Sequence, residues 1–501
     1  MQDKPPTAAH VPLAAIDIGS NSFRLEIGQL EEGRYRRIDY VKDTVRLGAG
    51  LGPQAQLSEE AAQRGLACLA RFRERLVGFA PWQVRAVATQ TLREASNRDD
   101  FLKRGQQALG QPIEVISGRE EARLIYAGVA HLQPSPKPRL VIDIGGRSTE
   151  LILGRGRKPL AVESFPVGSV GLSMRYFADG RLTADAFRAA QVAAGAQIEE
   201  SIATFGARHW REALGSSGTA GAVSQVLAAE GVTDGRITPQ ALAWCIERCL
   251  AAGHVDKLAF AGLREDRRPV IAGGLAILYT LCALLGIRAL QPAKGALRQG
   301  VIIDLDARLR AAQSQHPLDM RDTTVRELQH RFGVDIAQAR RVEAAALALH
   351  DRLGSAPAGG EARRELAWAA ALHEIGMLVS HHDHHRHSAY LLTHADAAGF
   401  SQSQQRRIGA LVLGQRGGLR KVEAELASPG FAHQLLCLRL AVIAAHGRHD
   451  VDIGGWHLAP AGQAVELRVV GPDPKALHLL REEAAHWQKV QGVELRLVEM
   501  H

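Results

Sequence analysis

The chain has 501 residues, which is enough for several domains and more than one hydrophobic core. Hydrophobic residues make up 46% of it and charged residues 23%, which excludes collagen-like, coiled-coil and largely disordered proteins. The formal net charge of +8 favours anionic partners, while an aromatic content of only 5% argues against a protein that binds nucleic acid by stacking bases.

The cysteines and the N-terminus indicate where the protein works. The five cysteines form no CxxC pair and no disulfide framework, so we expect reduced thiols. The N-terminal residues lack a basic region followed by an apolar stretch, so no signal peptide is predicted. We expect a cytoplasmic protein, with a peripheral position at the inner membrane left open.

The most informative feature is an internal repeat. Residues 141–154, VIDIGGRSTELILG, align without gaps with residues 15–28, AIDIGSNSFRLEIG, and seven of the fourteen positions are identical. Each copy reads as an apolar strand, a turn of small residues and a second strand, with Asp17 or Asp143 near the end of the first strand. A hairpin duplicated at this spacing predicts two similar α/β lobes that face one another.

Helix and strand patterns follow each hairpin. Residues 57–76 predict a helix with Ser58 as its N-cap and two glutamates in the first turn, where the helix dipole favours them. Residues 84–95 and 113–130 each pass from a strand into a helix, and residues 215–227 repeat this style in the second lobe. Both lobes are therefore predicted to alternate strands and helices.

One apolar segment resembles a membrane span in composition. Residues 269–287 form the longest uncharged stretch, but it opens with a proline and a glycine pair. The helical part that remains after Gly274 has about thirteen residues, short of the ~20 that a bilayer requires. We therefore predict a buried core helix.

The pattern changes after about residue 303. A long, alanine-rich helical region extends to about residue 447, and the last fifty residues alternate strand and helix again. The expected domains are a first lobe over 1–130, a second lobe over 131–305, a helical domain over 306–448 and a small α+β domain over 449–501.

The duplicated turns suit phosphate. Successive backbone N–H groups and short hydroxyls make a nest for phosphate oxygens, and an Asp at the strand end can hold Mg²⁺ directly or through water. An ordinary hairpin turn is the alternative for one copy, but two copies with Asp at the same place favour a phosphate cleft. The chain has no GxxxxGK[ST] loop, and GAGLG at 48–52 is not a GxGxxG fingerprint.

Other polar residues are consistent with a phosphate cleft. Glu120 and Glu121 are dipole-favoured residues at a helix start, but beside a phosphate cleft one of them becomes a base for an attacking water. Arg93 is either a surface residue or a fork for phosphoryl oxygens. Glu150 follows Asp143 by seven residues with a turn between them, so strand parity does not decide its face. The GSSGT loop at 215–219 is either functional or a common Gly-Ser loop.

The histidine-rich segment suggests a second, weaker site. Residues 371–377, ALHEIGM, resemble the LLHDIGK core of HD-type phosphohydrolases, and HHRHSAYLL resembles a later histidine element of that fold. Glu374 replaces the metal-bridging Asp and Met377 replaces the usual Lys. We predict a degenerate HD-like helical domain, and metal binding there stays open.

Together these motifs resemble the exopolyphosphatase and guanosine pentaphosphate phosphohydrolase family, which shares a superfamily with actin, sugar kinases and heat-shock ATPases. The resemblance covers almost the whole chain and rests on AAIDIGSNSFRL, ATQTLREASNRDDFLKR, EVISGREEARLIYAGV, LVIDIGGRSTEL, GSSGT, GLAIL, GALRQGV and LHEIG…HRHSAY. It implies two ribonuclease-H-like lobes of the actin-like type, followed by an all-α degenerate HD-like domain and a small α+β domain.

The resemblance also implies roles for individual residues. Asp143 and Glu150 would hold Mg²⁺, and Glu121 would be the general base that orients a water for in-line attack. Phosphate contacts would come from both turns and from one arginine, namely Asn21, Ser22, Gly145, Gly146, Ser148 and Arg93.

Arg147 departs from the family, which usually has Gly or Ala at this position. If the residue has φ > 0, its side chain costs roughly 1 kcal/mol. Its bulk would then crowd the phosphate, or alternatively its guanidinium would bind a neighbouring phosphoryl group.

The leading functional interpretation is a processive, metal-dependent exopolyphosphatase that releases orthophosphate from inorganic polyphosphate. The alternative within the family is a pppGpp 5′-phosphohydrolase. A kinase or chaperone-like ATPase is disfavoured by a base such as Glu121 and by the lack of a sugar-pocket signature, and a sensor without turnover is disfavoured by the intact carboxylates. The expected partners are polyphosphate or pppGpp and a second copy in a homodimer, without specific nucleic acid.

Overall fold

The structure is a computed structural model that describes residues 11–313, 319–354, 360–450, 452–462, 464–470, 473–490 and 493–500. The chain divides into two units, Met1–Gln313 and Ser314–His501. Each unit has hydrophobic clusters of its own.

The first sheet of unit one combines an antiparallel meander with two parallel strands. Strand β1 pairs antiparallel with β2 and parallel with β4, β2 pairs antiparallel with β3, and β4 pairs parallel with β5, in the order β3-β2-β1-β4-β5. The strands are β1 (Leu13–Ile18), β2 (Phe23–Glu31), β3 (Arg34–Asp43), β4 (Val84–Ala88) and β5 (Ile113–Val115).

The second sheet repeats this topology. Its order is β10-β9-β6-β7-β8, with β6, β7 and β8 as the antiparallel meander and β9 and β10 added in parallel. The strands are β6 (Pro138–Ile144), β7 (Thr149–Arg155), β8 (Lys158–Phe165), β9 (Glu212–Ser216) and β10 (Gln291–Pro292). The repeated hairpin therefore begins two lobes of one ribonuclease-H-like fold, which confirms the predicted fold class.

Helices surround and separate the two sheets. They are α1 (Glu59–Arg75), α2 (Gln90–Glu94), α3 (Arg98–Leu109), α4 (Gly118–Leu132), α5 (Ser169–Tyr176), α6 (Ala184–Ile198), α7 (Ile202–Phe205), α8 (Ser217–Ala229), α9 (Pro239–Ala252), α10 (Ile271–Leu285) and α11 (Leu297–Gln313). The predicted cap of α1 is confirmed, because the Ser58 side chain accepts a hydrogen bond from the backbone N–H of Ala61.

Three of these helices determine how the first unit packs. Helix α10, with the 3-10 turn before it, is long and apolar enough to cross a membrane, but most residues of the helix are buried in the core of the second lobe, as predicted. Helices α4 and α11 pack together and join one hydrophobic cluster with residues of both sheets. The predicted boundary at residue 305 falls inside α11, which continues to Gln313.

Unit two combines helices with a three-stranded sheet over one core. Strand β12 pairs antiparallel with β11 and parallel with β13. The elements are α12 (Met320–Arg331), α13 (Ile336–Arg352), α14 (Glu361–Ala371), α15 (His384–His394), α16 (Gln402–Gly414), α17 (Glu423–Leu426), α18 (Pro429–Ala444), β11 (Trp456–Ala461), β12 (Ala464–Val470), α19 (Pro474–Trp487) and β13 (Glu494–Met500). This is the predicted helical region with its α+β end.

Candidate active site

The two hairpin turns approach each other closely. A Cβ atom on Gly146 would lie 3.1 Å from the Cβ of Ser20 and 3.5 Å from the backbone nitrogen of Asn21. Gly145 closes its own turn, since its N–H donates to the carbonyl of Ser148 at 2.9 Å and an added Cβ would lie 3.1 Å from that oxygen. Small residues are therefore required where the turn of one lobe meets the turn of the other.

A cavity of about 70 Å³ lies between the turns and is lined by both lobes. It has room for a phosphoryl group and a water molecule. Seven of the residues to which the resemblance gives a role line it, namely Asn21, Ser22, Glu121, Asp143, Gly145, Gly146 and Ser148.

The second hairpin carries a carboxylate pair. Asp143 and Glu150 are directly opposite each other on β6 and β7, so both side chains project from one face of the sheet. Asp143 lines the cavity, and Glu150 accepts a hydrogen bond from the Ser164 hydroxyl at 2.9 Å. The turn thus brings together two residues whose relative faces the sequence left open.

The first hairpin has a different pair at the equivalent positions. Asp17 is opposite Arg24 in the same register, and Arg24 forms an ion pair with it at 3.3 Å. In the first lobe the strand-end carboxylate is therefore neutralised by the protein itself. In the second lobe the cross-strand neighbour is another carboxylate.

Asp143 and Glu121 line this side of the cavity, while Glu150 lies opposite Asp143 on the sheet and is not among the lining residues. All three carboxylates are buried. Burial raises the pKa of Asp143, and burial together with the charge of Glu121 raises the pKa of Glu150. Burial also raises the pKa of Glu121 to about 7, although Arg93 lowers it. Negative charge here is costly without a further cation.

The start of α4 separates the two adjacent glutamates. Ser117 caps the helix by accepting a hydrogen bond from the backbone N–H of Glu120. The carboxylate of Glu120 pairs with Arg123 at 2.7 Å, whereas Glu121 lines the cavity. The motif alone did not show which glutamate lies at the cavity. The structure shows that it is Glu121, because Glu120 is engaged by Arg123.

Arg93 stands behind Glu121. Its Nη1 donates to Glu121 Oε2 at 2.8 Å and to the Ile116 carbonyl at 3.0 Å, while Nε and Nη2 donate to Gln90 Oε1 at 2.9 and 2.6 Å. Arg93 is not among the residues that line the cavity. A direct contact with phosphate stays a prediction.

Arg147 is turned towards the first lobe. Its φ is not positive, so the backbone strain considered from the sequence is absent. Its guanidinium donates from Nε to Glu94 Oε2 at 2.9 Å and from Nη1 to the Gly48 carbonyl at 3.3 Å. The side chain does not line the cavity between the turns.

Several functional candidates were missed by sequence reasoning. Arg24, Arg267 and Arg298 line the cavity, and no role was predicted for them from the sequence. Ser217 and Gly218 also line it, and they belong to the GSSGT loop that the sequence left as either functional or ordinary. Arg24 and Arg298 belong to motifs that carry the family resemblance, whereas Arg267 lies in a run of charged residues that matches no motif. Only the fold brings the run that contains Arg267 to the hairpins. Ser217 has a φ of 65°, the kind of strained backbone that often marks a functional loop.

A second cavity of about 270 Å³ shares Arg24, Arg267 and Arg298 with the first. Within the described part of unit one, no carboxylate lines it. Its cationic lining residues are Arg24, Arg37, Lys42, Arg264, Arg267, Lys294 and Arg298.

The histidine-rich segment lies in unit two. His373, Glu374 and His384 line a cavity of about 520 Å³ there. His373 Nδ1 lies 2.7 Å from the Ala370 carbonyl, and Glu374 pairs with Arg448 at 2.6 Å. Among the described residues, no group of three His, Cys, Asp or Glu side chains is arranged to hold a metal ion.

Comparisons with known proteins agree with this fold. The model of the Ppx/GppA phosphatase family matches residues 27–309, and that of Ppx/GppA phosphatase, domain III, matches residues 320–459. A PPX-GPPA enzyme of Aquifex aeolicus is 25% identical with a TM-score of 0.50, over 59% of this chain and 99% of its own.

Two further solved structures share the fold. An exopolyphosphatase from Cytophaga hutchinsonii is 24% identical with a TM-score of 0.54, over 59% of this chain and 98% of its own. An exopolyphosphatase-like protein is 24% identical with a TM-score of 0.55, over 60% of this chain and 99% of its own.

Proposed function

Because the chain belongs to the Ppx/GppA phosphatase family, we propose that it is a magnesium-dependent exopolyphosphatase that removes terminal phosphate from inorganic polyphosphate. Family membership implies a hydrolase that acts as a phosphatase on phosphoanhydrides. The choice of polyphosphate is our own and rests on the charge of the cleft.

The cationic cavity carries this proposal. It adjoins the reaction cavity, and a linear polyanion with its terminal phosphoryl group between the turns would have its next phosphates among the arginines. Burial and the repulsion of the nearby Arg24 lower the pKa of Arg267 to about 10. A bound polyanion would relieve this repulsion.

The residues of the chain supply binding and proton transfer. The turn N–H groups and the hydroxyls of Ser22 and Ser148 would bind the terminal phosphoryl oxygens. Glu121 would take a proton from the attacking water, and a carboxylate with a pKa of about 7 suits a general base near neutral pH. Arg93 holds that carboxylate in place through the 2.8 Å hydrogen bond.

The carboxylate pair of the second hairpin fits magnesium. Asp143 and Glu150 are adjacent and buried, and Mg²⁺ is usually held by one or two carboxylates together with substrate phosphates rather than by a complete protein cage. Bound there, magnesium would neutralise charge on the phosphoryl group during transfer. The first hairpin lacks this capacity because Arg24 occupies the position equivalent to Glu150.

A specific observation favours the second candidate, a pppGpp 5′-phosphohydrolase. A cavity of about 300 Å³ is lined by Asn21 of the first turn together with apolar residues, among them Val170, Met174 and Phe177. Polyphosphate has no apolar part to place there, whereas a nucleoside has one.

The test is release of orthophosphate by the full-length protein. Long-chain polyphosphate, tripolyphosphate and pppGpp are compared at equal enzyme concentration with Mg²⁺ or with EDTA, and the Glu121→Gln variant controls for contaminating phosphatase. We expect Mg²⁺-dependent release with the highest kcat/KM on long chains. A higher kcat/KM on pppGpp would transfer the assignment to the second candidate, and no release from any substrate would overturn both.

A further inference from the structure

A chain of side-chain contacts connects Arg147 with Glu121. Arg147 donates to Glu94 Oε2 from Nε and Nη2, at 2.9 and 2.8 Å. Gln90 Nε2 donates to the other carboxylate oxygen of Glu94 at 2.6 Å, and Gln90 Oε1 accepts from Arg93. Arg93 then donates to Glu121 at 2.8 Å.

The contacts leave each group little freedom. The Gln90 amide uses its oxygen for Arg93 and its nitrogen for Glu94, so its orientation is set from both sides. Arg93 has its Nε and Nη2 on Gln90 and its Nη1 on Glu121 and Ile116, which fixes the plane of the guanidinium. A carboxylate held by a fixed guanidinium is itself held in direction.

The two ends of this series of side-chain contacts lie on different lobes. Arg147 is in the turn of the second hairpin, between Gly146 and Ser148, and both of these neighbours line the reaction cavity. Gln90, Arg93 and Glu94 lie on the short helix α2 of the first lobe. The contact of Arg147 with Gly48 and Glu94 therefore ties the second phosphate turn to the helix that holds the base.

We infer that Arg147 is a positioning residue, which acts from the opposite lobe through Glu94, Gln90 and Arg93 to hold Glu121 in the orientation needed for catalysis. The inference rests on the proposed function, in which Glu121 accepts the proton of the attacking water. It assigns a use to the arginine that departs from the small residue usual in the family. It also distinguishes a positioning role from direct binding of a neighbouring phosphoryl group.

The two roles differ in their kinetic signature. Loss of positioning lowers kcat and leaves KM nearly unchanged, because substrate binding is retained while the reacting geometry is lost. Loss of a phosphate contact made in both ground and transition states raises KM instead. Substitution of Glu94, which has no contact with the cavity, then has an effect only under the positioning role.

The experiment uses the full-length protein with long-chain polyphosphate and with tripolyphosphate. We expect Arg147→Met and Glu94→Gln each to lower kcat about 10-fold, with KM changed less than twofold. The double variant should lose no more kcat than either single variant, because both substitutions break the same series of side-chain contacts. Arg236→Met is the matched control, since Arg236 makes a 2.9 Å pair with Asp234 on the exposed surface of the same lobe.

A conservative substitution provides the second arm. Arg147→Lys keeps a cationic donor for Glu94 and should retain more kcat than Arg147→Met. If Arg147→Met loses its thermal unfolding transition, the kcat values of Glu94→Gln and Arg147→Lys decide the question. Unchanged kcat in Arg147→Met or Glu94→Gln, or a rise in KM alone, would overturn the inference. An inactive wild type would instead count against the proposed function.

Discussion

Asp143 and Glu150 are cross-strand neighbours at the positions that Asp17 and Arg24 occupy in the first lobe. One duplicated hairpin thus has a neutral pair and the other has two acids. Because both acids are buried and their pKa values are raised, the second hairpin is electrostatically incomplete without a cation.

Asp143→Asn is expected to abolish Mg²⁺-dependent phosphate release and to raise the thermal unfolding temperature measured in EDTA. Activity falls because a ligand for the cation is lost, while stability rises because one buried negative charge is removed from the carboxylate cluster. Glu374→Gln, in unit two, should leave activity nearly unchanged. Equal loss of activity in both variants would show that the active site has been placed wrongly.

Glu121→Gln should retain folding and substrate binding but lower kcat at least ~10²-fold, the scale of a lost general base. The amide keeps the shape of the side chain and has no basic oxygen to accept the proton. Steady-state kinetics give kcat, and binding of a short polyphosphate by calorimetry gives the affinity. Turnover close to that of the wild type would remove Glu121 from the mechanism.

The repeat made much of this site predictable from sequence. It indicated two facing lobes and the turns at Asn21 and Gly145, because similar local sequences fold into similar hairpins. It did not predict the partners of Arg147 or the place of Arg267, since both depend on which loops the fold brings together. Nor could parity place Glu150 opposite Asp143, because the register depends on the four-residue turn between their strands.

Arg267→Met should raise KM for long-chain polyphosphate about 10-fold while kcat stays within twofold. The guanidinium lines both cavities, and no ion pair or hydrogen bond ties it to another side chain within the described residues. Its charge is therefore available to a bound phosphate. Arg181→Met is a suitable control, because Arg181 is exposed on the same lobe. An equal change of KM in both variants would mean that only net charge is sensed.

Unit two should lose stability as the pH falls from about 6.5 towards 4. Burial lowers the pKa of His384 and of His385 to about 4, while an unfolded histidine titrates near 6.5. Between these values the unfolded chain binds protons that the folded one does not, so acid favours unfolding. Above about pH 6.5 both states are neutral and the effect vanishes.

Urea unfolding of the full chain at pH 7 and pH 5 measures this effect. His385→Leu should reduce the difference in unfolding free energy between the two pH values. His382→Leu should not, because the His382 side chain is 94% exposed. If the unfolding free energy differs by the same amount between pH 7 and pH 5 in both variants, other groups, chiefly carboxylates, cause the acid sensitivity.

Retention of long chains should depend on unit two. A chain that ends after Gln313 keeps α11 intact and both lobes with their clusters, so we expect it to cleave tripolyphosphate. Long polyphosphate should bind to the full chain partly by displacing counterions, and single-stranded nucleic acid suggests a log–log salt slope of roughly 0.7 for each phosphate neutralised. The full chain should therefore show a slope of several on long chains, and the shortened chain a shallower one.

The product ladder distinguishes retention from mere stabilisation. If unit two holds the polymer between cleavages, the full chain should shorten a few molecules completely, while the shortened chain should release intermediates of every length. Gel analysis at equal extents of phosphate release makes the comparison independent of specific activity. Thermal unfolding of both chains controls for stability, because a less stable enzyme loses turnover without changing the ladder. Identical ladders from the two chains would therefore end the retention hypothesis, whatever their relative rates.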